Sequence, residues 1–375
     1  MRLNMRFILS SIILVFLFFS CKKDDPVEPP KIKYDHTIIV VMEANNNLRQ
    51  YALDNINDME IAANSFKNAA VLVYLRSNND EAILLRVKFD EDLKVIASDT
   101  IKKYTISSSS PQQLNMAIND SKEFFPAESY GLILWSHATS WAPPISKRIE
   151  TRSFGEDQGK QMDIIDLKNS IPSGFEYIIF DACNMASIEV LWEFKEKTKY
   201  IIASPTEVLA SGFPYRKVLP YLASKEPDLI NVANQYFEHY SSYTGQMQSA
   251  SVTLLNTAEL SKLSSLCADL YLKNKSVGIP IRVNVQRLDY TADFPVPAFD
   301  FVNYLEVNFP LSELDPIKKQ MEKTIIYKNA TDQFLGKPIK AFSGFTCFIP
   351  ESEDFYLNYY RTLNWYKDSG TNVLF

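Results

Sequence analysis

The sequence predicts an α/β fold, a mostly parallel sheet with helices on both faces, continued by a mixed α+β portion at the C-terminus. Three features carry that expectation. Solid apolar runs recur along the first two thirds of the chain, and a run without polar alternation marks a strand covered on both sides. Stretches with apolar residues at helical spacing separate these runs, and strand–helix alternation builds parallel sheets. Finally, in residues 177–185 (YIIFDACNM) an apolar strand breaks off at a polar turn before a helical pattern. Open α/β folds bind ligands at that carboxyl edge.

In chain order, residues 37–42 (TIIVVM) read as the first buried strand. Residues 45–66 follow as a helix, with Leu48, Tyr51, Ala52, Ile56, Met59 and Ala63 near helical spacing. Residues 69–75 (AAVLVYL) are a second parallel strand. Residues 81–88 and 93–97 flank Asp90-Glu91-Asp92 and read as a β-hairpin on the sheet edge. A helix over 111–125 has Ser108, Ser109 and Ser110 ready to cap it. The run 130–137 is a strand ending at His137. Residues 141–161, with Pro143, Pro144, Gly155 and Gly159, lack sustained periodicity and read as a long loop, a length usually tied to function or mobility. A short helix over 163–171 leads to the strand 177–180, and a helix is expected over 185–197. Residues 200–204 (YIIAS) are the next parallel strand, with Glu207 just past its edge. Beyond 215 helical patterns (215–223, 229–243, 260–271, 311–322) mix with strand-like 249–255 and an apolar run within 343–350. No internal repeat is present.

Cys183 sits at a strand-to-helix junction, where the partial positive charge of a helix N-terminus favours thiolate over thiol. Taken alone, a buried free cysteine is the plainer reading. The chain has only three histidines, His36, His137 and His239. Because His137 ends a second apolar run, two adjacent parallel strands would deliver it and Cys183 to one edge. The two stand 46 residues apart, histidine first, near the spacing of about 50 found in caspases. Asp181 shares a side of its strand with Cys183. Asn45, Asn46 and Asn47 close the first strand at the same edge and could shape the site, but read best as a turn and helix cap. Three scattered histidines without paired cysteines cannot build a zinc site, and no G-x-S-x-G elbow supports a serine hydrolase.

Trp135-Ser136-His137-Ala138-Thr139-Ser140-Trp141 resembles the histidine motif LW-x-H-G-x-G-W of the clostripain-like cysteine peptidases. Residues 180–189 (FDACNMASIE) resemble their cysteine motif, D-A-C-x-M-A-x-x-E. Asn45-Asn46-Asn47-Leu48 (usually A-D-N-N-L) and Gly212-Phe213-Pro214-Tyr215 (usually G-W-P-Y) are further matches. The resemblance runs over residues 37–221, with weaker echoes to 350. It implies a caspase-like fold and peptide-bond hydrolysis through a thioester. Cys183 would be the nucleophile, His137 the proton acceptor and donor, and the backbone N–H groups of Cys183 and Ala138 the oxyanion donors. It places Asp181 in the pocket for the residue preceding the cut, to pair with Arg or Lys; Glu207, from its position at the edge of the next strand, would add a second acid. Such a dyad requires no cofactor. Some relatives need calcium, to which Glu156 and Asp157 would offer carboxylates, although an acidic loop is commonly just solvated. Ala138 and Ser140 stand where the family has glycines, and glycine at 138 would permit positive φ or close approach of substrate. Those departures favour a competing reading, a catalytically silent surface protein that binds a peptide or protein partner on the same fold.

Arg2 and Arg6, an apolar run over 7–19 and Ser20-Cys21 read as an export signal rather than a membrane span. The junction cysteine resembles a bacterial lipoprotein signal. That implies a lipid on Cys21 and a chain held in the cell envelope at the outer membrane; an ordinary cleaved signal peptide is the alternative. The polar, Pro-bearing segment that follows is a tether, and its acidic residues resemble surface-export signals of Bacteroidetes lipoproteins. The expected organisation is a signal over 1–20, a tether over 21–35, a caspase-like core over 36–224 and a mixed α/β subdomain over 225–375. Cys267 and Cys347 lie in apolar patterns and read as packing residues. An exported chain with an odd cysteine left over suggests a thiol kept for use. A net charge of −6 with no basic block argues against nucleic acid. The partners expected are a protein or peptide substrate and, through the lipid, a membrane.

Overall fold

A computed structural model of the chain describes residues 33–106, 108–142, 154–157, 160–276, 280–291 and 296–375. Cys21, the signal and the tether as far as residue 32 lie outside them, as does most of the loop expected over 141–161; Tyr34 and Asp35, expected in the tether, already belong to the first strand. The strands are β1 (Tyr34–Glu43), β2 (Ala69–Arg76), β3 (Glu81–Arg86), β4 (Asp99–Thr105), β5 (Ala127–Trp135), β6 (Phe154–Asp157), β7 (Lys160–Met162), β8 (Phe175–Asp181), β9 (Thr198–Ala203), β10 (Ser251–Asn256), β11 (Phe299–Asp300) and β12 (Ile325–Ala330), followed by three two-residue strands. The helices that matter here are α1 (Arg49–Ala62), α2 (Pro111–Phe124), α3 (Ile164–Ser170), α4 (Ile188–Phe194), α5 (Tyr215–Leu222), α6 (Leu229–Ser241) and α7 (Leu260–Lys273). No described helix is long and apolar enough to cross a membrane.

Nine strands form one sheet in the order β12-β10-β9-β8-β5-β1-β2-β3-β4. The central five, β9 to β2, are parallel, and both edges are finished by antiparallel strands. Alternate side chains of the central strands feed two separate cores. Ile38, Val40 and Met42 of β1 pack with α1, α5 and α6, whereas Ile39 and Val41 join α2, α3, α4 and α7 on the other face. Each such residue contributes roughly 1.5–3 kcal/mol on burial, so runs without polar alternation settle in the middle of the sheet. From β1 the chain passes through α1 to β2 on one side, while β5 leads through α3 to β8 and through α4 to β9 on the other. The order therefore reverses between β1 and β5, which opens a crevice at their carboxyl ends.

Three expectations need correction. The hairpin placed over 81–88 and 93–97 pairs β3 with Asp99–Thr105 instead. Leu93 and Val95 are 56% and 55% exposed, while β4 buries little beyond Tyr104: an edge strand is defined by its backbone partner rather than by apolar side chains. The helix expected over 185–197 is only Ile188–Phe194. The loop over 141–161 ends in a hairpin of β6 and β7. In addition, the portion expected as a subdomain over 225–375 supplies β10 and β12 to the main sheet.

A buried ion pair latches that hairpin to the carboxyl edge. Arg76 and Asp157 are 0% and 1% exposed, with Nη2 3.1 Å from Oδ2. Arg76 also donates to the carbonyls of Asn79, Glu81 and Ile106. Asp157 accepts from Asn45 Nδ2 and from the Ser109 N–H, each at 2.6 Å. Beside it, burial pushes the Glu43 carboxyl up to about 7; the Ser109 hydroxyl opposes that shift and the Asp157 charge adds to it. Asp157, proposed above as a calcium carboxylate, spends its oxygens on these donors, and the side chain of Glu156 lies outside the described residues. Replacing Asp157 by Ala would strand a buried guanidinium, an expected loss of about 3–5 kcal/mol in unfolding free energy. Denaturant titration reads it directly, and an unchanged midpoint would deny the pair this role.

Candidate active site

Strands β5 and β8 run parallel in a register that ends with Trp135 opposite Asp181. The ladder continues one step, with the Ser136 N–H donating to the Asp181 carbonyl at 3.4 Å. His137 and Cys183 each lie two residues beyond that last pair, so neighbouring strands bring both to the same edge. Both are partly exposed. The other two histidines are elsewhere: His36 is buried between Ser129 and Tyr177, and His239, on α6, contacts Tyr243 just past that helix.

His137 is fixed through its ring and its backbone. Nε2 lies 2.6 Å from Asn47 Oδ1, and the His137 carbonyl accepts from the Gly155 N–H at 3.1 Å. The Ser136 hydroxyl donates to the Glu43 carbonyl. Ala138 pairs with Phe154 of the latched hairpin and has no positive φ. The left-handed conformation falls on Ser140 instead, at φ 61°. Such a backbone costs an L-residue roughly 1–2 kcal/mol, offset here by a 2.7 Å hydrogen bond from Ser140 Oγ to Ser187 Oγ. Trp141 then seats among Phe348, Tyr356, Tyr359 and Tyr360. The glycine of the family motif at 138 is therefore not demanded by backbone conformation in this chain.

Cys183 departs from expectation. It lies in a turn five residues ahead of α4, whose cap is Ser187, so no helix N-terminus acts on it. Asn184 causes the separation. Its φ of 56° breaks the helical path, and its N–H and side chain bond to the Thr206 and Pro205 carbonyls. The Cys183 sulfur accepts from the Val208 N–H at 3.3 Å. Burial pushes the thiol up to about 12; the Val208 N–H pulls the other way, while the Glu207 and Asp181 carboxylates add to the rise.

Asp181 ends β8 and is 3% exposed. Its Oδ2 accepts from the Phe213 N–H at 3.0 Å and the Tyr215 hydroxyl at 2.8 Å. Gly212, at φ 66°, packs so closely that a Cβ there would stand 2.7 Å from that oxygen, which explains the glycine of the Gly-Phe-Pro-Tyr segment. Burial pushes the Asp181 carboxyl up to about 6 against these two donors. Glu207 Oε1 holds the loop at Tyr290 and Thr291 through both N–H groups and the Thr291 hydroxyl. Asp181 Oδ1 and Glu207 Oε2 are buried without a partner among the described residues. Among those residues no group of three or more His, Cys, Asp or Glu is placed to hold a metal. Cys267 and Cys347 are buried free thiols.

Sequence reasoning missed the Asn47–His137 contact and the Arg76–Asp157 latch. For the first the hint was that the three asparagines close β1 at the same edge; for the second it was Arg76, a charge continuing an otherwise apolar strand. The thiol itself gives a direct pH test, using iodoacetamide and peptide mapping of Cys183. In His137→Ala the alkylation rate is expected to rise about tenfold per pH unit between 6 and 9, because thiolate supply limits it. In the wild type the rise should flatten once the imidazole is neutral. A rate already flat at pH 6 in the variant would contradict a raised thiol.

A sequence profile of the clostripain family matches residues 40–373. No curated protein matches the chain. Among solved structures, the chain is similar to an inactive zymogen C11 protease from Parabacteroides distasonis, with 28% identity, a TM-score of 0.77, and coverage of 90% of this chain and 98% of that one. A secreted C11 cysteine protease from Bacteroides thetaiotaomicron has the same fold at 23% identity and a TM-score of 0.77, covering 91% of this chain and 100% of that one. The fold also matches a structure of such a secreted protease in complex with an irreversible peptide inhibitor, at 24% identity and a TM-score of 0.77 over 90% of this chain and 99% of that one.

Proposed function

The chain belongs to the clostripain family of cysteine proteases, and on that premise we propose that it is an exported, lipid-anchored endopeptidase cutting after Arg or Lys with Cys183 and His137. The observation that carries the specificity is the pair of half-satisfied carboxylates beside the sulfur. Asp181 and Glu207 each spend one oxygen on anchoring donors and keep one without a described partner. A buried oxygen left that way costs about 1–3 kcal/mol, and a substrate guanidinium or ammonium would relieve it.

The reaction runs through the residues described above. As sulfur attacks the scissile carbonyl carbon, the thiol proton passes to His137 and the carbonyl π pair moves onto oxygen, where the N–H groups of Cys183 and Ala138 receive it. Ala138 suits that role. Beside its pairing with Phe154 the hydrogen bond goes to the His137 carbonyl, so the Ala138 N–H points away from the hairpin. Collapse breaks the C–N bond, and His137 returns the proton to the leaving amine. Water then attacks the thioester, His137 takes its proton, and the acid leaves as the thiol is restored. Burial pushes the Cys183 thiol up, which favours a mechanism in which a base assists its ionisation. No metal enters these steps. The anchor rests on the order of charged residues, apolar run and Ser20-Cys21.

A peptidyl electrophile ending in Arg or Lys is expected to label Cys183, with labelling lost in His137→Ala. If neither labelling nor turnover occurs, the peptide-binding alternative stands instead. Asp181→Asn keeps an acceptor for Phe213 and Tyr215 but removes the charge. Its kcat/KM on Arg and Lys substrates should fall about 10- to 100-fold; an unchanged value takes Asp181 out of the pocket. For the anchor, an alkyne-tagged fatty acid fed to cells should mark the wild type and not Cys21→Ser, and equal marking of both would contradict it.

A further inference from the structure

We infer that Asn47 is the residue that orients His137, so that the reacting unit is cysteine, histidine and asparagine rather than a dyad. The inference rests on the reading of His137 as the base. Its ground is the 2.6 Å contact between Asn47 Oδ1 and His137 Nε2. An amide oxygen can only accept, so Nε2 carries the proton and Nδ1 is the basic nitrogen of the neutral ring. Asn47 is exposed, and the turn that carries it is held through its neighbour Asn46. Asn46 Oδ1 accepts from the Leu48 N–H at 2.8 Å, Asn46 Nδ2 donates to the Glu43 carbonyl at 3.2 Å, and the Arg49 N–H donates to the Asn46 carbonyl. Leu48 then anchors the turn in the core beneath α1.

The topology makes the contact a consequence of the fold. β1 and β5 are neighbours paired as far as Met42 opposite Trp135, so the turn after one strand meets the histidine after the other, at the point where strand order reverses. Of the three asparagines, Asn45 reaches the Asp157 latch, Asn46 builds the turn and Asn47 reaches the imidazole. The proton balance is simple. Nδ1 takes the thiol proton and later gives it up, while the Nε2 proton stays on the ring and its hydrogen bond to the amide persists. A neutral amide fixes the tautomer without drawing the proton away from Nδ1. Asn47 is thus a positioning residue.

The test uses the full chain labelled with ¹⁵N-histidine. The three imidazoles have different partners, and His137→Ala identifies the ring in question. In the wild type at high pH that ring is expected as the Nε2–H tautomer, and Asn47→Ala should return it to a mixture. The same variant should lose about tenfold or more in kcat on an Arg substrate, with KM unchanged. Asn47→Asp keeps an acceptor but adds a charge, so it should recover part of kcat and move the acid limb of the pH profile upward by about one unit. If His137→Ala is inactive yet Asn47→Ala matches the wild type in tautomer or in kcat, the assignment of Asn47 is overturned and the base survives. If His137→Ala keeps full turnover, the base itself is wrong, and the positioning role falls with it.

Discussion

The parallel pairing of β5 with β8 is the constraint on which the rest of the site depends. Trp135 opposite Asp181 fixes where each strand stops, and so which residues emerge beside one another. Both strands are covered on two faces, with Leu132 and Phe180 in one core and Ile133 and Ile179 in the other. A slip of one residue would exchange these sets between cores of different shape. The register is therefore protected by burial on both sides. His137 and Cys183 inherit that precision although they lie beyond the last ladder pair.

Support for the edge comes from long-range polar contacts rather than from more apolar packing. The hairpin latched by Arg76 and Asp157 carries the backbone bond to His137, and the turn after β1 carries the ring contact. On the cysteine side, Asn184 and Val208 tie the turn to the segment after β9. Burial, with two nearby carboxylates adding to it, favours the thiol form of Cys183 over the thiolate. On the proposed specificity, a substrate cation entering beside Asp181 and Glu207 would cancel the charges that hold the proton on sulfur, so the cognate side chain and the nucleophile's readiness are linked.

Much of this was legible in the sequence because it is local. The apolar runs of β1, β2, β5, β8 and β9 announce themselves, as does Ser110, which caps α2 by accepting from the Gln113 N–H. β4 was not legible: apart from Tyr104 its residues are largely exposed, so no alternating apolar face betrays a strand. The start of α4 was misplaced because Met185 and Ala186 continue an apolar pattern while the backbone at Asn184 has already turned left-handed. The family motif has glycines at both 138 and 140, and only the backbone tells them apart: the left-handed conformation falls at Ser140 and not at Ala138. Contacts such as Asn47 with His137, 90 residues apart, and Arg76 with Asp157, 81 apart, leave no local periodicity to read.

The central claim is that two neighbouring strands open a histidine and a cysteine onto one mouth. Disulfide trapping tests it without relying on activity, because a bond forms only when Cα atoms lie about 4.4–6.8 Å apart with facing side chains. The full-length His137→Cys variant, oxidised mildly and digested, should yield a cross-linked peptide joining positions 137 and 183. A free thiol at 183 under the same conditions, or a bond from 137 to any other cysteine, would contradict the account.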